Sequence, residues 1–383
     1  MNFELTDELA MLQKTAREFV ERTCPPEQAK AWDEQHETPP ELFRAMAAIG
    51  WFGLPFSEDV GGGGGGPLEL VLIAEELGRA SLDIAMCYIG TLIAGLTVSK
   101  WGTEDHRATL LPALISGEQR LAIGISEPDA GSDAASMRTF AEDRDDHFLV
   151  NGQKMWCTGA GVPDTHIMAY CRTDREAPKH GGLSVLLIDP TSDGVELRRI
   201  PTLARHILGT YEVFLRDVEV PRDRLVGPLN GGWKVLLSSL ELERVLMSGG
   251  YVGAAQATLD EALAYSKVRE QFGRAIGTFQ SLAHELADLQ VEIDSARLLT
   301  HRAAWMLAEK QDCSREGAMA KLKGSETYIA AARLGMQILA GHGFATESVM
   351  SFRWRESIVA TISGGTSQIQ RNAIARSMGL RSY

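Results

Sequence analysis

Cysteine is scarce in this sequence, and the arrangement of the few residues excludes two common roles. Cys24, Cys87, Cys157, Cys171 and Cys313 are odd in number, scattered over 383 positions and never spaced as CxxC. A disulfide framework uses paired cysteines and a structural zinc site uses closely spaced ones, so we expect neither, and no bound metal. The five residues are instead expected to be buried or free thiols in a reducing compartment.

The sequence also has fewer basic than acidic residues and few long apolar runs. Lys and Arg total 38 against 51 Asp and Glu, a net charge of −13 with His neutral, which argues against bulk affinity for nucleic acid or an anionic membrane. The longest uncharged run, residues 84–99, is short for a membrane span and is typical of a helix buried on all sides. The acidic, amphipathic start does not resemble a signal peptide, so a cytoplasmic location is expected.

The pattern of apolar residues changes twice along the chain. It is helical at first, then consists of short β-rich runs bounded by turn dipeptides such as Asn151-Gly152, and then becomes helical in long periodic segments. A chain of this length exceeds one hydrophobic core. We therefore expect three domains: a helical domain at 1–118, a β domain at 119–223 and a helical bundle at 224–383, with long helices at about 231–268, 276–310 and 315–340.

Residues 61–66 are six consecutive glycines. They match the dinucleotide-binding pattern G-x-G-x-x-G only trivially, because no strand leads into the run and no Gly-Lys-Ser/Thr follows it. A phosphate-binding loop is therefore the weaker interpretation, and a flexible connection between two helices is the expected one.

Two segments of the β region carry groups suited to a flat, charged ligand. In the first, Gly131 and Ser132 permit a tight turn that could offer amide and hydroxyl donors to a phosphate or a ring carbonyl, although an ordinary turn fits equally well. In the second, alternation places Trp156 and Thr158 on one face, where an aromatic plane and a hydroxyl could meet one ligand. A core Trp beside a surface Thr is the alternative.

Further segments complete a set that is specific in its order and spacing. They are Asp217-Val-Glu-Val-Pro221, Tyr265-x-x-x-Arg269-x-x-Phe272-Gly273, Gln337-x-x-x-Gly341-x-Gly343 and Gly364-Gly-Thr-Ser-Gln368. With this set the chain resembles the acyl-CoA dehydrogenase family over essentially its whole length. The resemblance implies an α+β multidomain fold with an N-terminal helical domain, a middle β-barrel-like domain and a C-terminal four-helix bundle. It also implies FAD as cofactor and a homotetramer, or a dimer.

By matching positions, the resemblance also implies site residues. Cofactor contacts are expected from Ile125, Ser126, Gly131, Ser132, Trp156, Thr158, Thr366 and Gln368, and, across a subunit interface, from Arg269, Phe272, Gln337 and Gly341. Substrate contacts are expected from Ser132, Leu242, Arg244 and Gly364. The residues by themselves agree on Arg269, since a fixed cation suits a diphosphate, while a surface cation beside Glu270 is the alternative.

Gly364 is a departure from the family pattern, in which most members carry the glutamate that removes the substrate's α-proton at this place. The helix that begins near Gly232 offers Glu241 and Glu243, which point about 200° apart. Glu243 shares an apolar stripe, whereas Glu241 is expected on a solvated face. Burial of a carboxyl group raises its pKa towards that of a general base.

Glu243 is therefore expected to be the catalytic base. Its position matches the glutamate before arginine that serves as base in isovaleryl-CoA, long-chain acyl-CoA and some prolyl-carrier-protein dehydrogenases. The alternative is a structural glutamate paired with a buried arginine.

The expected activity is that of an oxidoreductase acting on CH–CH donors, which dehydrogenates a short or branched acyl-CoA and passes electrons to an acceptor such as an electron-transfer flavoprotein. Two alternatives stay open. One is a dehydrogenase of an acyl group tethered to an acyl-carrier protein, and the other is a non-dehydrogenating flavoprotein of the same fold. No nucleic acid or membrane partner is expected.

Overall fold

The computed structural model describes residues 4–380. Its α-helices are α1 (Asp7–Thr23), α2 (Pro26–Gln35), α3 (Pro40–Ala48), α4 (Pro67–Ala80), α5 (Leu82–Trp101), α6 (Glu104–Ile115), α7 (Gly232–Val268), α8 (Gln280–Ala308), α9 (Ser314–Leu339), α10 (Gly341–Phe344), α11 (Val349–Ile358) and α12 (Ser367–Ser377). Its strands are β1 (Arg120–Gly124), β2 (Phe140–Asp143), β3 (His147–Thr158), β4 (Thr165–Arg172), β5 (Leu183–Ile188), β6 (Val195–Arg199), β7 (Thr210–Pro221), β8 (Leu225–Val226), β9 (Glu270–Gln271) and β10 (Arg274–Ala275). The predicted order of helices, then strands, then helices is confirmed.

These elements form two compact units. One consists of the described residues of Met1–Gln35, Gly66–Met86 and Glu241–Tyr383, and the other of His36–Gly65 and Cys87–Leu240. Each unit therefore draws on more than one stretch of the chain. The domain boundaries expected after residues 118 and 223 stay predictions.

The second unit contains an eight-stranded sheet in the order β6-β7-β3-β2-β4-β5-β8, with β1 parallel to β4. The long antiparallel pair of β3 and β7 is interrupted by register shifts, one of them between Lys154 and Cys157. A core of fully buried side chains that includes Phe148, Val150 and Val213 packs against the sheet. Apolar residues of several strands thus fix the register around the irregular part of β3.

The run at residues 61–66 is not the flexible connection that its composition predicts. The N–H groups of Gly62, Gly63, Gly64 and Gly65 donate to carbonyl groups of residues 53–57, over 2.6–3.1 Å. A Cβ on Gly62 would collide with the backbone of Phe56. Glycine is needed here because two chain segments approach closely, and the same hydrogen bonds leave these amides unable to bind a phosphate.

In the first unit, α9 packs against α8, α11 and α12, and α4 packs against α1 and α8. Helices α4 and α7 approach each other so closely that a Cβ on Gly253 would collide with the carbonyl group of Glu75. This packing fixes the position of the middle of α7. Glu243 and its neighbours, on which the expected chemistry depends, lie one to three turns before Gly253 on the same helix.

Helix α5 contains the long uncharged run. Among the described residues it is the one helix that is long and apolar enough to cross a membrane, yet 78% of its apolar window is buried inside the protein. The predicted buried helix is therefore confirmed. All five cysteines are free and buried, also as expected.

Candidate active site

Glu243 lies on α7 among apolar neighbours and is only partly accessible to solvent. The residues that follow it on the helix, Leu246 and Met247, are buried. No hydrogen bond or ion pair engages its carboxylate in the part of the chain that the structure describes. Burial raises the pKa of Glu243 above its ordinary value, while the cations Arg244 and Lys321 act in the opposite direction. The carboxylate is thus free to accept a proton from a ligand.

Glu241 does not lie on a freely solvated face, so that part of the sequence interpretation was wrong. Its carboxylate accepts hydrogen bonds from the Ser314 hydroxyl and, at 3.7 Å, from the Cys313 thiol. Both donors stand at the start of α9, which the periodicity of α7 alone cannot reveal. Glu241 is a structural carboxylate, whereas Glu243 is left without a partner.

Arg244 is about nine-tenths buried, and its Nε has no hydrogen-bond partner among the described residues. Burial lowers the pKa of Arg244, against the attraction of Glu243 and Glu241. Because a buried donor without a partner is costly, this guanidinium is suited to an acceptor that the chain itself does not supply. Leu242, the other expected substrate residue on this helix, is half-buried.

Gly364 and Gly365 form a turn in which both residues have a positive φ, of 63° and 82°. Neither amide N–H finds an acceptor within the described residues. The carbonyl groups of both residues, in contrast, accept hydrogen bonds from the Gln370 side chain at 3.1 and 3.0 Å. Successive glycines in this conformation present N–H groups to an anionic oxygen.

The other expected residues of this turn have different environments. The hydroxyl of Thr366 caps α12 by accepting from the N–H of Ile369 at 3.2 Å, while the side chain of Gln368 is exposed. Helix capping fixes where α12 starts. The end of the turn that leads into α12 is therefore held by this cap.

In the sheet-containing unit, Ile125 and Ser126 are brought beside β3 by a buried ion pair. Lys154, which is 0% exposed, donates to Glu127 at 2.7 Å and to the carbonyl of Ile125 at 3.3 Å. The N–H of Met155 donates to the carbonyl of Ser126 at 2.8 Å. Two segments that the resemblance assigns to one cofactor site thus lie side by side.

Trp156 and Thr158 face away from the core of the same strand. Trp156 is 55% exposed and Thr158 half-buried, while Cys157 between them is completely buried. Trp156 has a φ of 61°, which is rare for a large residue and coincides with the register shift of β3. An exposed indole in a strained conformation is typical of a ligand-binding position.

Gly131 and Ser132 are exposed, just beyond the backbone bridge between Glu127 and Ala130. The structure therefore contains the expected turn. Asp133, the next residue, binds Lys179 at 2.7 Å, so the local charge is already balanced.

Arg269, Phe272, Gln337 and Gly341 are all exposed on the single chain, and Phe272 reaches 95% exposure. The side chain of Arg269 has no polar partner among residues 4–380. The rings of Tyr265 and His342, whose centroids are 5.9 Å apart, link the end of α7 to α10. The hairpin that carries Arg269 and the start of α10 therefore lie near each other, as a shared ligand would require.

Sequence reasoning missed four residues of these sites: Lys321, Gln370, Lys154 and Met247. Lys321 and Lys154 are buried cations whose partners are distant in sequence, and such a partner leaves no local pattern. A lysine at a helix position flanked by apolar and small residues, as in Ala320-Lys321-Leu322, is the one signal that could have been followed. The described residues contain no cluster of His, Cys, Asp and Glu that could hold a metal ion.

Comparisons with known proteins identify the family of this chain. Models of the acyl-CoA dehydrogenase N-terminal, middle and C-terminal domains match residues 6–118, 122–218 and 230–379. The probable acyl-CoA dehydrogenase YngJ of Bacillus subtilis is 35% identical over 381 residues, which are 99% of this chain and 100% of that protein.

Two solved structures are similar over the full chain. A glutaryl-coenzyme A dehydrogenase in complex with glutaryl-CoA has a TM-score of 0.95 at 33% identity, covering 100% of this chain and 98% of the other. PigA with FAD and proline has a TM-score of 0.94 at 27% identity, covering 100% of both chains. The chain therefore belongs to the acyl-CoA dehydrogenase family, whose members are oxidoreductases acting on CH–CH donors.

Proposed function

We propose that this protein is an FAD-dependent dehydrogenase that forms an α,β double bond in an acyl thioester, with Glu243 as the base. The observation that carries the proposal is the unpaired carboxylate of Glu243 on a buried stretch of α7, with a raised pKa. One turn further along the helix, Met247 lies against Gly364, the position at which most of the family carries its base. A carboxylate is thus available where the chemistry needs one.

The residues present fit FAD. An exposed indole at Trp156, the unpartnered cation of Arg269 and the exposed ring of Phe272 offer a stacking surface, a diphosphate contact and an adenine contact. The indole of Trp156 and the cation of Arg269 have no polar partner among the described residues, the ring of Phe272 meets only the edge-on ring of Phe279, and the PigA structure similar to this chain contains FAD. When bound, FAD would supply the acceptor for the β-hydride.

The protein's own residues perform the proton transfer. Glu243 takes the α-proton onto a carboxylate oxygen, and its partial burial keeps water from competing as a proton acceptor. Negative charge then develops on the thioester carbonyl oxygen, which accepts a hydrogen bond from the free N–H of Gly364. Arg244 and Leu242 on the same turn of α7 contribute contacts to the acyl thioester.

Self-association is part of the proposal, because the diphosphate and adenine contacts would come from a neighbouring subunit. Helix α8 carries Val291, Leu298 and Trp305 at seven-residue intervals, and each is more than half exposed. An apolar stripe at this spacing is typical of a helix–helix interface. A homotetramer or dimer would cover it.

Two finer points of the proposal are the thiol that carries the acyl group, either CoA or a carrier protein, and the electron acceptor. The structural similarity to PigA with FAD and proline favours testing a prolyl thioester beside acyl-CoA substrates, and a tether to a carrier protein is the alternative that the family resemblance leaves open. The acceptor is expected to be an electron-transfer flavoprotein, on the family resemblance.

The experiment that tests the proposal is an anaerobic screen of the yellow holoenzyme. Acyl-CoA thioesters of graded length and branching, and carrier-tethered acyl groups, are mixed with the protein, and loss of the flavin absorbance is followed. We expect at least one thioester to bleach the flavin of the wild type, and the same thioester to leave the flavin of Glu243→Gln unbleached. Protein that neither binds FAD nor is bleached by any thioester would contradict the proposal.

A further inference from the structure

Lys321 of α9 holds the Gly364–Gly365 turn from the protein interior. Its Nζ donates to the carbonyl of Gly365 at 2.8 Å and to the carbonyl of Ala360 at 3.0 Å. The amide of Gln370 donates to the carbonyls of Gly364 and Gly365 from α12. Both side chains are 0% exposed. Two donors from different helices thus draw the carbonyl oxygens of the turn inward.

The clamp also determines where the amide groups of the turn can point. In a planar trans peptide the C=O and the N–H point in opposite directions. Drawing the carbonyls of residues 364 and 365 inward therefore turns the N–H groups that follow them outward. The bonds to the carbonyl of Ala360 before Gly364, and to the carbonyls of Gly364 and Gly365, also anchor the chain that flanks the Gly364 N–H, which has no acceptor among the described residues.

Lys321 is an uncommon choice for a purely structural contact. A completely buried ammonium is costly unless it is paired, yet no carboxylate lies within ion-pair distance of it in the described chain. The charged groups that act on it are Glu243 and Arg244 of α7 and Glu326 of its own helix. Burial, together with the nearby charge of Arg244, lowers the pKa of Lys321 to about 8, while Glu243 and Glu326 act in the opposite direction.

The remaining surroundings of the Lys321 ammonium carry little charge. The ring centroid of Tyr251 lies 6.0 Å from Nζ, residues 359–365 include no ionisable side chain, and Glu326 is itself paired with Arg371 of α12. Glu243 is therefore a carboxylate without a hydrogen-bond or ion-pair partner among the described residues, and its charge and that of Lys321 act on each other. A neutral donor could hold the carbonyls equally well, but it would not act on Glu243.

We propose that Lys321, assisted by Gln370, is a positioning residue for the reaction: it orients the Gly364 amide towards the thioester oxygen and favours the ionised form of Glu243. This inference rests on the proposed function. Lys321 itself touches neither substrate nor cofactor. It acts through the turn and through the electrostatic potential at the base.

The test compares Lys321→Met with Lys323→Met, a control on the same helix whose ammonium pairs with Glu292 near the surface. Both are studied as FAD-loaded protein with the thioester that the wild type oxidises fastest. Lys321→Met should lower kcat by about a hundredfold, the usual effect of losing an oxyanion contact, with KM little changed. The acid limb of its pH profile should move to higher pH, because the cation that favours ionised Glu243 is gone.

Two further measurements separate positioning from a general loss of structure. The carbonyl stretch of a ¹³C-labelled thioester, bound in the Glu243→Gln background, should move to higher frequency with Lys321→Met and not with Lys323→Met. Amide hydrogen exchange of residues 363–366 should accelerate in the same variant alone. Gln370→Leu should reproduce the stretch and exchange effects without the pH shift, and it replaces Lys321→Met if that variant does not fold.

The outcomes distinguish this inference from the proposed function. If the wild type oxidises no thioester, the proposed function fails, and the clamp is then judged by amide exchange: faster exchange at residues 363–366 supports it and unchanged exchange overturns it. If the wild type is active, a lower kcat with an unmoved carbonyl stretch and an unmoved pH profile makes Lys321 merely structural. That result, or an unchanged kcat, overturns the inference.

Discussion

Met247 of α7 occupies the space that a side chain at position 364 would need. A Cβ built on Gly364 would stand 2.8 Å from the Met247 methyl carbon and closer still to its sulfur. Gly364 also has a φ of 63°, which residues with a Cβ rarely adopt. The absence of a glutamate at this position is therefore matched by the packing of α7. The end of the Met247 side chain would have to move before a glutamate could occupy position 364.

Gly364→Glu in the Glu243→Gln background is expected to restore little activity. The clash with Met247 and the positive φ together disfavour the required geometry, and the φ alone costs about 1–3 kcal/mol. Adding Met247→Ala should remove the clash and raise the rate of flavin bleaching. Equal recovery with and without Met247→Ala would show that the methionine does not exclude a side chain at 364.

Glu243→Gln should retain the fold and bound FAD but lose turnover, because an amide cannot accept the α-proton. Removal of a general base usually lowers the rate by about 10²–10⁴-fold, and stopped-flow bleaching measures it. Glu241→Gln is the matched control on the same helix: it should remain active but lose a little stability, since Ser314 and Cys313 donate to that carboxylate. Turnover by Glu243→Gln would falsify the assignment of the base.

The pH dependence of flavin bleaching should report the raised pKa of Glu243. Below that pKa the carboxyl group carries its proton and cannot take another, so activity should rise with pH through it. The midpoint should lie above the ordinary value of a glutamate, because burial disfavours the charge. A rate that is already constant from the ordinary glutamate range upwards would contradict the burial argument.

Arg269→Ala should weaken FAD binding and self-association together. Losing a charge-assisted hydrogen bond removes roughly 1.5–3 kcal/mol, or about a ten- to hundredfold loss of affinity. FAD titration and sedimentation of the same samples measure both effects. The exposed Lys267 provides the control, since Lys267→Ala removes a charge two residues away. An unchanged affinity in Arg269→Ala would support the surface-cation interpretation.

Ala340→Gly should stabilise the protein. Ala340 joins α9 to α10 with φ 49° and ψ −125°, a conformation that glycine adopts without strain. Relief of such strain is worth about 1–3 kcal/mol, less the extra freedom of glycine in the unfolded chain. Thermal unfolding of the holoenzyme measures the change. Ala283→Gly, on an exposed part of α8, should lower the melting temperature instead, and an equal loss in both variants would show that Ala340 is unstrained.

Lys154→Met should destabilise the sheet-containing unit by about 3–5 kcal/mol, because it leaves the buried carboxylate of Glu127 without its cation. The segment of Ile125 and Ser126 should loosen, so FAD affinity should fall as well. Lys179→Met removes an exposed ion pair with Asp133 and should change stability by less than about 1 kcal/mol. A loss no larger than that of Lys179→Met would mean that the buried pair contributes little.

Although Glu243 as the base stays a prediction, the order of helices and strands and the approximate limits of the long helices could be predicted from the sequence alone. These features depend on periodicity, which reports which face of an element is buried, and the segments predicted at about 231–268, 276–310 and 315–340 correspond closely to α7, α8 and α9. The motifs identified the family because their residues are fixed in spacing along one chain. No part of that reasoning required knowledge of distant contacts.

The surroundings of those residues could not be predicted without the tertiary structure. A run of glycines is typical of a flexible segment, yet N–H groups of this run donate hydrogen bonds to carbonyl groups of residues 53–57. Glu241 looked solvated because α7 alone places it outward, yet α9 supplies its donors. Lys321 and Gly365, or Met247 and Gly364, are separated by tens of residues, and a periodic pattern carries no information about which distant group will fill a given space. Such contacts follow from close packing. Each buried donor needs an acceptor and each interior space must be filled, and the element that does so can come from any part of the chain.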